Sequence, residues 1–255
     1  MSRLIAHRGN SSEAPENTFA AFDSAIDAGI TLLECDVQMT RDGRVVVIHD
    51  ATLERTGDRR DDVRELTLAE VQAADVSWPK RFGDRFRPQR VATLGELLVH
   101  IRGKAQVLVE IKKESSRADS DVFEQAIVEE TVRSGARIVN DMTSDLAFIS
   151  FGTVVLERMR AHLPEAPRGH LFYRPSVDEM LAGAERVAAT FLMPEKAGVN
   201  ADLVALARAR GLGVATWVCD EPEEMRRLLD LGVLGVGTNR PVWMRSVLAG
   251  GTPGA

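Results

Sequence analysis

The sequence predicts an α/β chain folded as a (β/α)8 TIM barrel with a small insertion after the second strand. Nine short apolar runs have the length and residue types of strands, and helical patterns separate most of them. Asp42-Gly43 predicts a two-residue hairpin turn between the second run and the third, so the third strand must be antiparallel to the second. Without that strand, eight β-α units remain, and 255 residues is the size of one such barrel.

The predicted elements alternate along the chain. Strands are predicted at 4–6, 31–37, 44–49, 107–111, 146–151, 168–173, 187–193, 213–218 and 233–237. Helices are predicted from 19 to 28, after the N-cap Thr93, at about 121–134, from 152 through Met159, at about 201–210, from Pro222 and at 241–248. Gly29 and Gly135 follow two of these helices, where a glycine in the left-handed conformation commonly ends a helix. No break in composition suggests a second core, so residues 1–249 are expected to form a single TIM-barrel domain and 250–255 a flexible tail.

The segment at about 51–90 has no clear period. It mixes arginines with acids and then places aromatic and basic residues together from Trp78 to Pro88. It is expected to be an insertion, either a lid that contacts substrate or an ordinary solvated face.

The composition excludes several classes of protein. A net charge of −6 gives no sign of a nucleic-acid-binding surface, and no apolar run is long enough to span a bilayer. The first residues lack a signal-peptide core, so a cytoplasmic location is expected. Cys35 lies within a predicted strand and Cys219 at the end of one, without metal-ligand spacing, and buried free thiols are expected rather than a disulfide.

Charged residues gather where the predicted strands end, which is the end of a TIM barrel that carries the active site. Because alternate residues of a strand share a face, Glu34 and Asp36 point the same way. By the same rule Glu110 and Lys112 share a face of the next barrel strand. His7 and Arg8 end the first strand, and the hairpin returns His49 to the same rim.

The carboxylates of Glu34, Asp36 and Glu110 would lie close together at this rim. At 4 Å each pair would repel by ~4 kcal/mol at an effective dielectric constant of 20. A divalent cation would remove that repulsion, and all-oxygen ligation favours Mg²⁺, Ca²⁺ or Mn²⁺ over zinc. The alternative is a salt-bridge network of these acids with Arg8 and Lys112.

Short polar motifs run along nearly the whole chain. They are His7-Arg8-Gly9, Pro15-Glu16-Asn17-Thr18, Glu34-Cys35-Asp36-Val37, Asp42-Gly43, His49-Asp50, Arg55-Thr56, Glu110-Ile111-Lys112, Ser150-Phe151 and Gly237-Thr238-Asn239-Arg240-Pro241. In this order and spacing they resemble the glycerophosphodiester phosphodiesterases. One His-Arg-Gly would be weak evidence, but the ordered set is specific.

The resemblance implies a TIM barrel with an insertion after the second strand and cleavage of small-molecule glycerophosphodiesters to glycerol 3-phosphate and an alcohol. It implies that His7 and His49 are the general acid and base, without deciding which is which. The implied metal ligands are Glu34, Asp36 and Glu110, and the implied phosphate-binding cations are Arg8 and Lys112. The attacking group is either water or the neighbouring hydroxyl of the glycerol, through a cyclic phosphate.

The chain departs from the family pattern at two places on the rim. The family usually has Asp where this chain has Asn239, and commonly a Thr-Val-Asn run where Val218-Cys219-Asp220 follows Trp217. Trp217 itself could contact the glycerol face or fill the barrel, and contact with substrate is the expected role.

Two other functions remain open at this point. A phospholipase D-like enzyme on the same fold would act on lysophospholipids or sphingolipids, although the charged insertion does not suggest a membrane-docking loop. A non-catalytic barrel would bind phosphodiesters or a partner protein, but no member of the histidine and acid set is missing. The oligomeric state does not follow from the sequence.

Overall fold

The computed structural model describes residues 3–113, 120–141, 143–174 and 176–250. Its strands are β1 (Arg3–His7), β2 (Leu32–Met39), β3 (Val45–Val47), β4 (Gln106–Ile111), β5 (Leu146–Ser150), β6 (Arg168–Phe172), β7 (Phe191–Pro194), β8 (Gly213–Thr216) and β9 (Gly235–Thr238). All except β3 are parallel to their neighbours, and β1 pairs with both β2 and β9, which closes the barrel. The predicted (β/α)8 fold is therefore confirmed.

Helices cover the outside of the barrel. They are α1 (Phe19–Asp27), α2 (Leu68–Gln72), α3 (Pro79–Phe82), α4 (Leu94–Ile101), α5 (Val122–Ser134), α6 (Thr153–His162), α7 (Val177–Val187), α8 (Ala201–Ala209), α9 (Pro222–Asp230) and α10 (Pro241–Leu248). The predicted capping box at Thr93 and Glu96 begins α4, and Gly29 and Gly135 have positive φ after α1 and α5. In the described part of the chain, no helix is both long and apolar enough to cross a membrane.

The barrel interior changes from apolar to charged along the strands. Side chains such as Ile5, Leu32 and Leu108 belong to a buried apolar cluster that fills the interior. Two residues further along the same strands, and therefore on the same face, come His7, Glu34 and Glu110. Cys35 points the other way, into the core between the sheet and the helices. This alternation places the charged groups at the carboxyl-end rim.

The hairpin between β2 and β3 is antiparallel, as predicted, and Val37 lies opposite Val47. The prediction of a two-residue turn was wrong. Thr40 and Arg44 close a three-residue loop in which Gly43 has φ +75°, a left-handed conformation common in loops of this length. Because β1 pairs with β2 only as far as Glu34, the rest of that edge of β2 is left for β3.

The stretch 187–193 was wrongly predicted to be one strand. Val187 instead ends α7, which the sequence analysis missed, and the strand begins at Phe191. A capping box at Ser176 and Glu179 begins this helix, which buries Met180, Ala184 and Val187. Apolar residues at this spacing lie on one helical face. Val187 therefore continues the 3.6-residue period of a helix and not the two-residue period of a strand.

Strand β8 is also shorter than predicted, since it ends at Thr216. Trp217 and Cys219 therefore lie in the following loop and not in a strand. Cys35 and Cys219 are both buried free thiols, as expected.

The segment 51–90 contains α2, α3 and a 3-10 turn at Val63–Glu65. Its apolar side chains, among them Leu53, Val63 and Val71, pack with Val46 and Ile48 of the hairpin in a small separate cluster. The Asp42 carboxylate also accepts a hydrogen bond from the Leu68 amide at 2.9 Å. The mixed charges are thus the outer face of a small core built on the hairpin. The expected tail beyond Gly250 lies outside the described residues.

Candidate active site

Three acidic side chains converge at the mouth of the barrel. Asp36 and Glu110 are paired across β2 and β4, and Glu34 lies two residues before Asp36 on the same face. One carboxylate oxygen from each residue lies within 4.8 Å of the other two. Glu34 is 3% exposed and Asp36 is fully buried. The predicted convergence of the three acids is confirmed.

Burial and mutual repulsion oppose ionisation of these acids. Burial, followed by the charge of Asp36, raises the pKa of Glu34 well above its usual range, and the same two causes raise the pKa of Glu110. Burial also disfavours ionised Asp36, but the charges of Arg8 and Lys112 outweigh it and lower the pKa of that carboxyl. Ionisation of all three acids together is therefore unfavourable without further positive charge.

Arg8 and Lys112 supply the neutralising charge, as the salt-bridge alternative predicts. The Arg8 Nε lies 3.0 Å from Asp36 Oδ2, and the Lys112 Nζ lies 2.7 Å from Asp36 Oδ1. Lys112 also donates to Glu110 Oε1 at 2.6 Å. Both cations therefore lie at the predicted site, in contact with the acids.

The cluster also fits a divalent cation. Among the residues that the structure describes, nothing donates a hydrogen bond to the buried Oε1 of Glu34. Two oxygens bound to one ion lie at most roughly 4.2 Å apart for Mg²⁺ and roughly 4.6–5.2 Å apart for Ca²⁺, twice their bond lengths. A spread of up to 4.8 Å suits Ca²⁺ and requires only small side-chain movements for Mg²⁺.

His49 is oriented by a carboxylate that the sequence analysis did not select. Its Nδ1 lies 2.6 Å from Asp50 Oδ1, and Arg55 Nε donates to Asp50 Oδ2 at 2.6 Å. The hydrogen bond with His49, opposed by partial burial and supported by Arg55, lowers the pKa of Asp50. An ionised carboxylate only accepts hydrogen bonds, so Nδ1 of His49 carries a proton and Nε2 is left for chemistry.

His7 lies across the mouth, at the end of β1. Its Nδ1 lies 2.7 Å from Asn239 Oδ1, and its Nε2 lies 4.0 Å from Glu34 Oε2. Burial, followed by the charge of Arg8, lowers the pKa of His7 to about 4, so the imidazole is neutral at pH 7. Asn239 in turn donates to Asp220 at 2.8 Å, so the two departures from the family pattern contact each other.

The motif Pro15-Glu16-Asn17-Thr18 supplies two further site residues whose roles the sequence does not indicate. Asn17 Nδ2 donates to Asp36 Oδ2 at 2.9 Å. Glu16 accepts from Arg8 at 3.0 Å and from both terminal nitrogens of Arg55 at 2.7 Å. Their positions in a motif were the only signal in the sequence, because the loop after β1 must fold back before either residue reaches the site.

Gly9 allows that loop to pass close to α1. It has φ +80°, and a Cβ there would lie 2.6 Å from the carbonyl carbon of Ala21. Gly43 has a similar φ of +75° but nothing within 4 Å of such a Cβ. Gly9→Ala should therefore cost roughly 2–5 kcal/mol, through backbone strain and overpacking together. Gly43→Ala should cost only the strain, about 1–2 kcal/mol. Urea unfolding of the two variants tests this, and equal losses would contradict the close contact.

A cavity of about 400 Å³ opens beside the acids, with His49, Glu110, Lys112, Gln38 and Phe151 in its wall. Trp217 contacts one of these wall residues, Phe151. Its ring meets the edge of Phe151 with centroids 5.5 Å apart, and its Nε1 donates to the Met193 carbonyl at 3.0 Å. The indole is thus anchored next to Phe151, at the edge of the cavity.

Comparisons with known proteins show which family the chain resembles. The model of the glycerophosphoryl diester phosphodiesterase family matches residues 7–242. A glycerophosphodiester phosphodiesterase of Caldanaerobacter subterraneus is 32% identical over 93% of this chain and 94% of its own length.

Solved structures show the same fold. A phosphodiesterase from Oleispira antarctica, in complex with the product sn-glycerol-3-phosphate, is 25% identical with a TM-score of 0.86, and the match covers 98% of this chain and 97% of that one. A glycerophosphodiester phosphodiesterase from Agrobacterium tumefaciens is 26% identical with a TM-score of 0.80, covering 96% and 100%. The chain therefore belongs to the glycerophosphoryl diester phosphodiesterase family of enzymes.

Proposed function

We propose that this enzyme is a metal-dependent phosphodiesterase that hydrolyses glycerophosphodiesters to glycerol 3-phosphate and an alcohol, with His7 and His49 as general acid and base. The observation that carries the proposal is the rim itself. Three carboxylate oxygens within 4.8 Å of one another share it with two imidazoles whose Nδ1 atoms are already hydrogen-bonded. The product complex of the Oleispira antarctica relative supports the same product here.

The proposed metal ligands are Glu34, Asp36 and Glu110, with Mg²⁺, Ca²⁺ or Mn²⁺ as the ion. When bound, the ion would polarise a phosphoryl oxygen and offset the negative charge that grows in the transition state. Arg8 and Lys112 contact the same acids, and this supports their proposed role of holding the phosphate oxygens. Cations fixed in a largely buried site stabilise developing charge more than the same cations would in water.

The two histidines would share the proton transfers. One takes the proton of the attacking hydroxyl, and the other gives a proton to the departing alkoxide. His49 lies in the cavity wall, and its orientation is fixed by Asp50. His7 lies beside Glu34, and its orientation is fixed by Asn239.

The cavity beside His49 is the proposed place for the alcohol part of the substrate. Its walls combine the Phe151 ring with polar groups such as Gln38 and Lys113. We assign Trp217 to substrate contact at the edge of this cavity, next to Phe151. A mixed wall of this kind suits a small polar diester.

Product analysis on four diesters tests the proposal. Glycerophosphocholine, glycerophosphoethanolamine and glycerophosphoglycerol should release glycerol 3-phosphate, measured with a coupled glycerol-3-phosphate dehydrogenase. Lysophosphatidylcholine is the fourth compound. Release of lysophosphatidic acid from it, without turnover of the three water-soluble diesters, would instead indicate a phospholipase D-like enzyme.

A further inference from the structure

Asp220 lies in the loop after β8, outside the acid cluster, and its carboxylate accepts three hydrogen bonds. Its Oδ1 accepts from Thr238 Oγ1 at 2.7 Å and from the Asn239 amide at 2.8 Å. Its Oδ2 accepts from Asn239 Nδ2 at 2.8 Å. The loop is tied to β9 by the Cys219 amide, which donates to the Gly237 carbonyl at 2.8 Å. The carboxylate is therefore held in place from three sides.

This contact decides which way the Asn239 amide faces. A carboxylate only accepts hydrogen bonds, so the Asn239 nitrogen must face Asp220 and the Asn239 oxygen must face away from it. That oxygen lies 2.7 Å from His7 Nδ1. β1 and β9 are parallel neighbours with Ala6 opposite Thr238, so His7 and Asn239 meet at the next position along.

The direction of the amide then fixes the tautomer of His7. The Asn239 oxygen also only accepts, so His7 Nδ1 must carry a proton. In a neutral imidazole the other nitrogen, Nε2, is then bare. Nε2 is the nitrogen 4.0 Å from Glu34, on the side of the acid cluster. An asparagine by itself would not ensure this, since its two ends have nearly the same size and the amide can turn over.

We propose that Asp220 is a positioning residue for His7, which acts through Asn239 to keep Nδ1 protonated and Nε2 bare toward the reaction centre. The inference rests on the proposed role of His7 in catalysis. It assigns to Asp220 no contact with substrate.

Asp220→Asn should reverse the chain of hydrogen bonds. The backbone amide of Asn239 cannot turn, so the single oxygen of the new side chain should remain on it. The new amide nitrogen then faces Asn239 Nδ2, and Asn239 must turn its own nitrogen toward His7. His7 would take the opposite tautomer, with the proton on Nε2. kcat for glycerophosphocholine should fall by at least ~10-fold, toward the ~10²–10⁴ that a general acid–base group contributes.

The double variant Asp220→Asn with Asn239→Asp should restore the wild-type arrangement. The carboxylate at 239 would accept from the new amide on one side and from His7 Nδ1 on the other. Most of kcat should return, which a merely structural loss at position 220 would not allow. Asp23→Asn is the matched control, because Asp23 lies away from the site and its Oδ1 is 2.6 Å from His100 Nε2. The kcat of this variant should stay at the wild-type value.

The tautomer itself can be observed by ¹H–¹⁵N correlation of the imidazole nitrogens in metal-free, ¹⁵N-histidine-labelled protein, with His7 assigned from the His7→Gln spectrum. We expect a protonated Nδ1 in the wild type and the double variant, and a protonated Nε2 in Asp220→Asn. A protonated Nε2 in the wild type would overturn the inference, whether or not the single variant folds. A folded double variant without recovered kcat would also overturn it. If His7→Ala kept full activity, the proposed function of His7 would fail, while the spectra would still report on Asp220.

Discussion

His49→Ala should lower kcat for glycerophosphodiesters by ~10²–10⁴-fold, the usual contribution of a general acid or base. The imidazole lies in the cavity wall, and its Nδ1 is held 2.6 Å from Asp50, so only Nε2 is available for proton transfer. His7→Ala should have an effect of the same order, because each imidazole handles a different proton. Steady-state kinetics at saturating substrate measures both losses.

The matched control for these variants is His162→Ala. His162 also contacts a carboxylate, with Nε2 2.8 Å from Asp121 Oδ2, but it lies on α6 on the outside of the barrel. Its removal should leave kcat unchanged. The thermal midpoint of each site variant, compared with wild type, shows whether the fold persists. Wild-type turnover in a folded His49→Ala or His7→Ala enzyme would refute the acid–base assignment.

Removing divalent metal with a chelator should abolish turnover, and adding Mg²⁺, Ca²⁺ or Mn²⁺ should restore it. Without the ion, the charges of Arg8 and Lys112 offset only part of the mutual repulsion among Glu34, Asp36 and Glu110. The ion should also raise the thermal midpoint, because a ligand bound only by the folded state stabilises it by ~2.7 kcal/mol at 100 times its dissociation constant. Full activity in protein shown to be metal-free would reject the proposed site.

The Glu110→Gln variant tests whether the metal dependence of turnover comes from the acid cluster. The substitution keeps the shape of the side chain and removes one of three proposed charged ligands, so calorimetric titration should show weaker metal binding and kinetics a higher metal requirement. Glu129→Gln is the control, because Glu129 is exposed on α5 and pairs only with Arg133 at 2.9 Å among the described residues. Equal metal affinity in Glu110→Gln and wild type would exclude Glu110 as a ligand.

Much of the barrel follows from local pattern. The alternation of Glu34, Cys35 and Asp36 correctly predicted which side chains enter the barrel, because a strand has a period of two. Asp42-Gly43 correctly predicted the antiparallel strand that carries the chain toward His49. The helix α7 was missed because Val187 and the apolar residues just after it were assigned to a single strand.

The sequence predicted the charged residues of the site but not all of the residues that hold them in position. The charged residues meet as expected, since parallel strands bring their carboxyl ends to one rim. They are Glu34, Asp36, Glu110, Arg8 and Lys112. Asn17, Asp50 and Arg55 were not selected, although each contacts a site residue or its partner. Their roles depend on side chains from separate loops coming within hydrogen-bond distance.

By itself, the sequence determined the barrel, the rim, the acid cluster and the two histidines, because these depend on residue type and on a strand period that acts over a few neighbours. Only the tertiary structure decided how each imidazole is oriented. Asp50 orients His49 from the adjacent position, whereas His7 depends on Asn239 and Asp220, more than 200 residues away along the chain. A hydrogen bond acts over about 3 Å of space whatever the separation in sequence. Closure of β9 onto β1 is what brings these groups together.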